Sequence, residues 1–264
     1  ALRVTWLGHS TALLELDGRR ILTGPVWAER ASPSQLFGPK RFFALPLAQA
    51  PPLDAVLLSH DHYDHLDEAT TRSLGKTGVP FFCPLGVGAH LRRWGVPTAR
   101  ITELNRWDTA ALGPDLTLVA TPARHFSGCG LLNRDRTLWA SWCLLGPQHK
   151  VFFGGDSGPF AEGFRQIGAA YGPFDLTMLE IGAYDAEWAD IHLGPTEALA
   201  AHRLLGGGPL LPLHWGTFNL AFHAWRAPVQ ELMAHAGTEA TLLLPAPGQR
   251  VAVEAGALNS QWWA

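Results

Sequence analysis

Short apolar blocks recur along the chain and alternate with amphipathic stretches, which predicts strands connected by helices. Residues 2–7 and 11–17 are apolar or alternating, and Gly8-His9-Ser10 separates them. Together with residues 20–23 they predict three neighbouring strands. Further apolar blocks predict strands near residues 54–58, 80–83, 99–102, 116–121, 138–145, 150–154, 175–180, 209–213, 240–244 and 249–253. Helices are predicted near residues 67–74, 86–94, 159–170, 195–205 and 226–236.

Each half of the chain begins with strands and continues with helices, and this order predicts the fold class. It favours an α/β fold in which two sheets pack face to face and the helices lie outside them. No repeat, low-complexity tract or linker interrupts the pattern. We therefore predict a single domain over residues 1–264.

The composition is that of an ordinary, rather apolar globular protein. Hydrophobic residues make up 47% of the 264 residues, charged residues make up 16%, and the formal net charge is −3. This charge argues against a general nucleic-acid binder, because surfaces that follow phosphate backbones are strongly basic. Three cysteines without paired spacing argue against a disulfide scaffold and favour a cytoplasmic location. The first residues predict a strand, not a signal peptide, and no apolar run is long enough for a membrane span.

Residues 24–52 break the pattern of strands and helices. This stretch has six prolines, little periodicity and several aromatic side chains. A connection of this length is usually disordered or functional, and the aromatic residues favour an ordered loop. We expect it to form a wall or lid beside the functional site.

The polar segment 59–65 carries the strongest chemical signal in the chain. Its candidate metal ligands are His60, His62, Asp64 and His65. It follows the apolar block 54–58 and precedes a helix for which Asp67 is the expected N-cap. Loops that follow strands hold the chemistry in α/β folds. Three imidazoles and a carboxylate this close together suit a zinc-type site, so we prefer a metal site to a solvated polar loop.

Three more apolar blocks end close to a residue that can bind a metal. In chain order these residues are His125, Asp156 and His214. One such ending is ordinary, but four in one chain, counting the segment 59–65, indicate a shared site. His9 also follows a predicted strand, and it either lines this site or is a satisfied structural histidine.

This set of residues resembles the metallo-β-lactamase superfamily, and the resemblance covers essentially the whole chain. The matching pattern is His60-x-His62-x-Asp64-His65, then His125, Asp156 and His214. The resemblance implies a four-layer αβ/βα sandwich, with two facing mixed sheets and helices outside. It also implies two divalent metal ions, with zinc first and iron or manganese as alternatives. By the family's roles, one ion would be held by His60, His62 and His125 and the other by Asp64, His65 and His214, with Asp156 as a bridge.

Six stretches that lie almost entirely outside the ligand set are similar to the N-acyl-phosphatidylethanolamine-hydrolysing phospholipase D group of that superfamily. They are residues 6–11, 29–33, 38–42, 172–176, 181–184 and 214–218. This similarity implies hydrolysis of a small-molecule or lipid-like phosphodiester by a hydroxide that bridges the two metals. Asp64 and His192 are the implied catalytic residues. His192 would hydrogen-bond the phosphate or the leaving oxygen, with an exposed structural histidine as the alternative.

Two positions depart from that group's pattern. Gly24 stands where the relatives usually have an Asp that would support a metal-bound histidine. Cys129 stands where bacterial relatives often have Arg. Two alternative functions stay open: a lactone or cyclic-ester hydrolase of the ascorbate-6-phosphate lactonase-like type, and a binding protein without catalysis. Peripheral membrane contact and the oligomeric state also stay open.

Five residues are candidates for substrate contacts. Trp27, Trp188 and Trp215 would border an apolar cleft for an acyl chain, and core packing is the alternative. Lys40 and Arg41 would hold a phosphate head group, and a solvated basic pair is the alternative.

Overall fold

The computed structural model describes residues 1–42, 51–128, 134–238 and 240–264. These residues form fifteen strands and five α-helices. The strands are β1 (Leu2–Trp6), β2 (Ala12–Leu16), β3 (Arg19–Thr23), β4 (Ala55–Leu57), β5 (Phe81–Pro84), β6 (Ile101–Leu104), β7 (Thr109–Leu112), β8 (Leu116–Thr121), β9 (Ser141–Leu145), β10 (Lys150–Phe153), β11 (Leu176–Glu180), β12 (Pro209–Leu213), β13 (Thr241–Leu244), β14 (Arg250–Ala252) and β15 (Leu258–Asn259). The helices are α1 (Glu68–Gly75), α2 (Gly88–Arg93), α3 (Ala161–Tyr171), α4 (Pro195–Leu204) and α5 (Ala227–Ala236).

The strands form two mixed sheets, as predicted. The first sheet has the order β14-β1-β2-β3-β4-β5-β6, and the second has the order β15-β13-β12-β11-β10-β9-β8-β7. Strands β3 to β6 are parallel in the first sheet, and β10 to β13 are parallel in the second. Late in the chain, β14 returns to pair with β1 in the first sheet. These two mixed sheets with their helices confirm the predicted αβ/βα sandwich.

Strand β4 shows why the sequence around it is continuously apolar. Ala55 and Leu57 face the large core that both sheets share, whereas Val56 and Leu58 face a second core with α1 and α2. A strand that is buried on both faces needs apolar residues at every position. Helices α3, α4 and α5 contribute side chains to the large core. The helices therefore cover the sheets from outside, while the strand ends stay accessible.

The start of α1 is fixed by the N-cap that the sequence predicts. The Asp67 carboxylate accepts hydrogen bonds from the backbone N–H groups of Ala69 and Thr70, at 3.3 and 3.2 Å. Such a cap satisfies N–H groups that have no partner inside the helix. The chain therefore turns into α1 directly after the polar segment 59–65.

The apolar pattern did not predict β7 or β15. β7 is an edge strand of the second sheet in which Thr109 and Ala111 are exposed, so it lacks a continuous apolar run. β15 has two residues. The strand predicted near 99–102 begins at Ile101, because Thr98–Arg100 form a short 3-10 helix. That residues 1–264 form a single domain stays a prediction.

The described part of the proline-rich stretch lies against the segment that follows β12. The N–H of Phe42 donates to the Thr217 carbonyl at 2.9 Å. This contact places residues 24–42 beside the predicted ligand His214. The role of the whole stretch as a wall or lid stays a prediction, because residues 43–50 lie outside the described residues.

Trp142 in β9 links the two sheets next to the polar segment. Its side chain is fully buried, and its indole N–H donates to the Leu58 carbonyl at 3.0 Å. We predict that Trp142→Phe lowers the free energy of unfolding by about 1–3 kcal/mol, because a buried carbonyl loses its donor. Trp142→Ala should lower it by about 3–5 kcal/mol, because a cavity is added.

Urea unfolding followed by circular dichroism measures both changes. Trp107→Phe is the matched control, since Trp107 is 40% exposed, and it should change the free energy of unfolding by less than about 0.5 kcal/mol. Equal losses in Trp142→Phe and Trp107→Phe would contradict the proposed link between the sheets.

Candidate metal centre

The seven predicted ligands lie together at one edge of the sandwich, where β4, β8, β10 and β12 end. In chain order they are His60, His62, Asp64, His65, His125, Asp156 and His214. Five of these side chains are buried, and the other two are half-buried. The structure thus brings the complete predicted set together.

The first cluster consists of His60, His62, His125 and Asp156. His125 Nε2 lies 3.3 Å from His62 Nδ1. The Nε2 atoms of His60 and His125 each lie 3.8 Å from Asp156 Oδ2. One potential ligand atom from each of the four residues lies within 4.8 Å of every other. This spacing is compact enough for a single cation to contact all four residues.

The second cluster consists of Asp64, His65 and His214, again beside Asp156. The Nε2 atoms of His65 and His214 lie 3.4 and 3.3 Å from Asp64 Oδ2. The same atoms lie 3.0 and 3.1 Å from Asp156 Oδ2. Asp156 therefore lies next to residues of both clusters, which is the position that a carboxylate shared by two metals requires.

Several polar atoms of the two clusters are buried and lack a hydrogen bond within the described residues. They are His60 Nε2, His62 Nε2, both ring nitrogens of His65 and His214, and both carboxylate oxygens of Asp156. Buried polar atoms are normally paired, and buried unpaired charges are costly. Imidazole nitrogens and carboxylate oxygens are a donor set that zinc and related divalent metals prefer. The residues present therefore fit divalent cations.

The protonation states divide the histidines into two groups. Burial, followed by repulsion from nearby imidazoles, holds the pKa of His60 well below its ordinary value, and burial lowers the pKa of His125 to about 3. Neutral imidazoles have the lone pair that a metal needs. Burial would also lower the pKa of His65 and His214, but the adjacent carboxylates raise it to about 9 for His65 and well above its ordinary value for His214. A cation that binds beside the carboxylates must displace these protons.

Hydrogen bonds at the outer ring nitrogen orient two of the histidines. His60 Nδ1 lies 3.0 Å from Ser59 Oγ, and His125 Nδ1 donates to the Ile191 carbonyl at 2.8 Å. The Nε2 atom of each ring is then left on the side of Asp156. Partners of this kind fix the tautomer and the ring orientation of metal-binding histidines.

Gly155 allows Asp156 to approach the segment 59–65. Its backbone has a φ of +59°, and a Cβ at this position would lie 2.5 Å from the Cβ of Ser59. From the other side, the N–H of Ala140 donates to the Ser59 carbonyl at 2.9 Å. Glycine is required here because a side chain would push Ser59 away and separate Asp156 from His60.

His192 lies beside the clusters and contacts Glu180, a residue that the sequence analysis missed. His192 Nδ1 is 2.7 Å from Glu180 Oε2 and 3.9 Å from Asp156 Oδ2. Glu180 is 1% exposed and accepts from the N–H groups of Ser157 and Leu193, at 2.5 and 3.3 Å. Burial would lower the pKa of His192, but Glu180 raises it above its ordinary value. With its side chain 14% exposed, His192 does not match the alternative of an exposed structural histidine.

His9 lies against the second cluster. Its Nε2 is 2.9 Å from Asp64 Oδ2, and its ring centroid is 3.9 Å from that of His214. Of the two alternatives that the sequence left open, the structure favours the one that places His9 at the site.

A cavity of about 200 Å³ opens beside the clusters. Its apolar lining residues are Phe126, Ala183, Trp188, Ile191 and Leu220, and its polar ones are His62, Asp64, Asp156, His192 and His214. Among the candidate tryptophans, Trp188 lines this cavity. Trp215 is buried and stacks on Trp6 with ring centroids 5.3 Å apart, and Trp27 packs against the second core. Core packing, the alternative, is therefore what the structure shows for Trp27, whereas Trp215 packs in the core and also lines a small cavity beside His214.

Arg41 and Lys40 are not arranged as a basic pair for a phosphate. Arg41 is buried, its Nη2 donates to the Val26 carbonyl at 2.5 Å, and its guanidinium carbon lies 5.3 Å from the Phe218 ring centroid. Lys40 Nζ lies 3.6 Å from Glu29 Oε1 on the surface. Arg41 thus fixes the proline-rich stretch against the segment after β12.

Of the two positions that depart from the family pattern, Gly24 and Cys129, the structure describes only Gly24. Gly24 has a φ of +40°, and a Cβ at this position would lie 3.3 Å from the Ser10 carbonyl oxygen. A side chain at Gly24 would therefore strain the backbone and crowd Ser10. Cys129 lies outside the described residues.

Comparison with known proteins assigns the chain to a family. Residues 19–215 match the Beta-lactamase superfamily domain, so the chain belongs to this superfamily. An uncharacterised protein of Mycobacterium tuberculosis is 54% identical over 269 residues, which cover 99% of this chain and 72% of that protein. N-acyl-phosphatidylethanolamine-hydrolyzing phospholipase D 1 of Caenorhabditis elegans is 36% identical, over 82% of this chain and 64% of that protein. The mitochondrial enzyme of the same name from Saccharomyces cerevisiae is 32% identical, over 86% of this chain and 50% of that protein.

Solved structures confirm the fold. Igni18, a metallo hydrolase from Ignicoccus hospitalis, has a TM-score of 0.73 at 24% identity, and the match covers 95% of this chain and 97% of that one. An isothiocyanate hydrolase from Delia radicum gut bacteria has a TM-score of 0.74 at 21% identity, over 95% and 98% of the two chains. Superfamily, fold and His/Asp clusters together define a metal-dependent hydrolase. Within the described ranges, no helix has the length and apolar character needed to cross a membrane.

We predict that metal binding at this centre releases protons. At pH 7 the His65 ring is protonated, because the carboxylates raise its pKa to about 9. A cation competes with that proton, so metal affinity should rise with pH until it approaches about pH 9. Titration calorimetry of metal-stripped protein with Zn²⁺, in buffers of different ionisation enthalpy, measures the protons released. A Zn²⁺ affinity that stays constant between pH 7 and about pH 9, after correction for Zn²⁺–buffer complexes, would contradict the prediction.

Proposed function

We propose that the protein hydrolyses a phosphodiester with two divalent metal ions, and the histidine-rich donor set favours zinc. The observation that carries the proposal is the position of Asp156, whose Oδ2 lies 3.8 Å from His60 Nε2 and 3.0 Å from His65 Nε2. One ion would be held by His60, His62 and His125, the other by Asp64, His65 and His214, with Asp156 shared. With three residues of its own and the shared carboxylate, each ion would have four protein donors, so a five-coordinate geometry would leave one position for water or substrate.

Ions held in this way supply a hydroxide near neutral pH and positive charge for the phosphoryl oxygens. The chain must keep its carboxylates ionised for this purpose. Burial alone would raise the pKa of Asp64, but His65 and His214 hold it well below its ordinary value. Asp64 is therefore an anionic group beside the cavity. We propose it as a catalytic residue that would hold one of the ions next to the substrate.

His192 is the second catalytic residue that we propose. Glu180 occupies its Nδ1 at 2.7 Å, so Nε2 is the nitrogen left for the substrate. A buried carboxylate beside an imidazole favours the protonated ring, which can donate to the phosphate or to the leaving oxygen. Glu180 acts through His192 as a positioning residue.

Exposed aromatic side chains near the cavity favour a lipid-like substrate. Phe222 is 86% exposed, and its ring centroid lies 6.2 Å from that of Trp188. Phe42 is 55% exposed and lies 6.3 Å from Trp225, beside a small adjoining cavity that also contacts His214. Exposed apolar groups of this kind are typical of surfaces that bind apolar partners. Similarity to the worm and yeast phospholipases D supports the same substrate class, with peripheral membrane contact as part of the proposal.

Hydrolysis of a lactone or another cyclic ester is the alternative reaction for the same centre. A binding protein without turnover is the alternative from another class. The complete ligand set argues against this second alternative, because drift without selection for catalysis should have damaged that set.

We predict that the metal-loaded protein hydrolyses bis(p-nitrophenyl) phosphate. His60→Ala should lower kcat/KM by more than the roughly 10–100-fold typical of losing an outer-sphere partner, because it removes a ligand. His235→Ala, on the exposed side of α5, should have no effect. Release of p-nitrophenol measures each rate, and a parallel panel of lactones tests the alternative. Unchanged turnover in His60→Ala, or a preference for lactones by orders of magnitude, would overturn the proposal.

We predict that Glu180→Gln lowers kcat by about 10–100-fold. The substitution keeps the size of the side chain but removes the negative charge that orients His192 and stabilises its protonated form. KM and the number of bound metal ions should stay at wild-type values. Glu231→Gln is the control, since Glu231 is exposed and bonds the Tyr184 hydroxyl instead. Steady-state kinetics and metal analysis measure the outcome. Loss of bound metal with kcat per loaded site unchanged would show that Glu180 serves the metals, not His192.

A further inference from the structure

His9, which lies outside the predicted ligand set, is packed directly behind the second cluster. Its side chain is 1% exposed, and its Nε2 is 2.9 Å from Asp64 Oδ2. Its ring centroid lies 3.9 Å from that of His214 and 5.1 Å from that of His65. His9 thus contacts three residues that the proposed second ion would bind.

The backbone of His9 is held in a conformation that is rare for a residue with a side chain. Its φ of +54° lies in the left-handed region. Its N–H donates to Thr217 Oγ1 at 2.7 Å, and its carbonyl accepts from Trp6 Nε1 at 2.9 Å and from the N–H of His214 at 3.1 Å. Such conformations persist where the surroundings over-determine them, and they concentrate at functional sites.

We infer that His9 is a positioning residue that holds the Asp64 carboxylate for the second metal ion; this inference rests on the two-metal site proposed above. The Nε2–H group donates to Asp64 Oδ2 and restrains rotation of the carboxylate. The His9 carbonyl, through the N–H of His214, holds a second ligand of the same ion. A single locked residue therefore orders two of the ligands.

Direct coordination is the alternative, because a ring nitrogen of His9 lies within 4.8 Å of potential ligand atoms of Asp64, His65 and His214. Two arguments favour the positioning role. A nitrogen that donates its proton to Asp64 has no lone pair for a cation. The second cluster also has four protein groups already: Asp64, His65, His214 and the shared Asp156. A fifth would fill a position that a catalytic metal keeps open for water or substrate.

The role of His9 differs from those of the histidines that are ligands. Its ring contacts are with His65, His214 and Phe218, so its loss should affect the second ion and spare the first. Outer-sphere partners of metal ligands typically contribute about 10–100-fold to metal affinity. We expect a change of that size in the dissociation constant of the second ion alone.

The test measures Zn²⁺ binding to the metal-stripped protein against a competing chelator, which yields the number of ions per chain and both dissociation constants. His9→Ala should weaken binding of the ion at Asp64, His65 and His214 about 10–100-fold, and it should leave the dissociation constant of the other ion unchanged. His9→Gln, whose amide can still donate, should recover part of the loss. His202→Ala is the matched control: His202 is also 1% exposed, and its Nδ1 lies 2.7 Å from Thr177 Oγ1, far from any carboxylate of the clusters.

The outcomes distinguish failure of the role of His9 from failure of the two-metal site. Wild-type protein that binds no ions would overturn the two-metal site itself. If the wild-type protein binds two ions and His9→Ala binds both with the same dissociation constants as the wild type, the role of His9 would be overturned. The absorption spectrum of the Co²⁺-loaded protein reports coordination: bands unchanged in His9→Gln support positioning, and altered bands would make His9 a ligand. Should His9→Ala fail to fold, His9→Gln alone decides the result by the same two readouts.

Discussion

The structure depends on keeping the carboxylates of Asp64 and Asp156 ionised in a place from which water is largely excluded. Burial disfavours both charges, and only the imidazoles around them offset that cost. Protons on His65 and His214 balance part of the charge, but the Nε2 atoms of His60 and His62 remain without hydrogen bonds among the described residues. In the two-metal site that we propose, a cation on each side of Asp156 would satisfy the carboxylates and the imidazoles together, which protons alone do not.

The sandwich meets this constraint because strands from both halves of the chain end at the same edge. β4 in the first sheet delivers the segment 59–65, and strands of the second sheet deliver the remaining ligands. Contacts across the sheets then set the spacing. Trp142 holds the Leu58 carbonyl, and Gly155 lets the backbone before Asp156 pack against Ser59. The same edge borders the cavity, and four of the seven proposed ligands line it: His62, Asp64, Asp156 and His214.

The strand ends explain how much the sequence could predict. Each of the seven proposed ligands lies in the polar loop that follows an apolar strand. A buried strand followed by a polar loop is a pattern that can be recognised in the sequence. Glu180 has the same signal, as the last residue of the fully buried β11, but an acidic residue at a strand end is also common in solvent. What identifies it is the contact with His192 and two backbone N–H groups, and these depend on how the loop after β11 folds back.

His9 was ambiguous for a related reason. Its partner Asp64 lies 55 positions further along the chain, so local pattern cannot show the pair. The tryptophans show the same limit, because both Trp188 and Trp215 follow polar residues in predicted loops, yet Trp188 is half-buried beside the cavity and Trp215 is buried. β7 was missed because an edge strand with exposed positions has no apolar run. Local periodicity thus predicted elements and strand-end ligands, while contacts between distant loops required the structure.

The most direct test of the central claim is an anomalous scattering measurement on crystals grown with Zn²⁺ and collected at the zinc edge. We predict two peaks of similar height in each chain. One should be bordered by His60, His62 and His125, the other by Asp64, His65 and His214, with the Asp156 carboxylate between them. A single peak, or none at the clusters in crystals that hold zinc elsewhere, would contradict it.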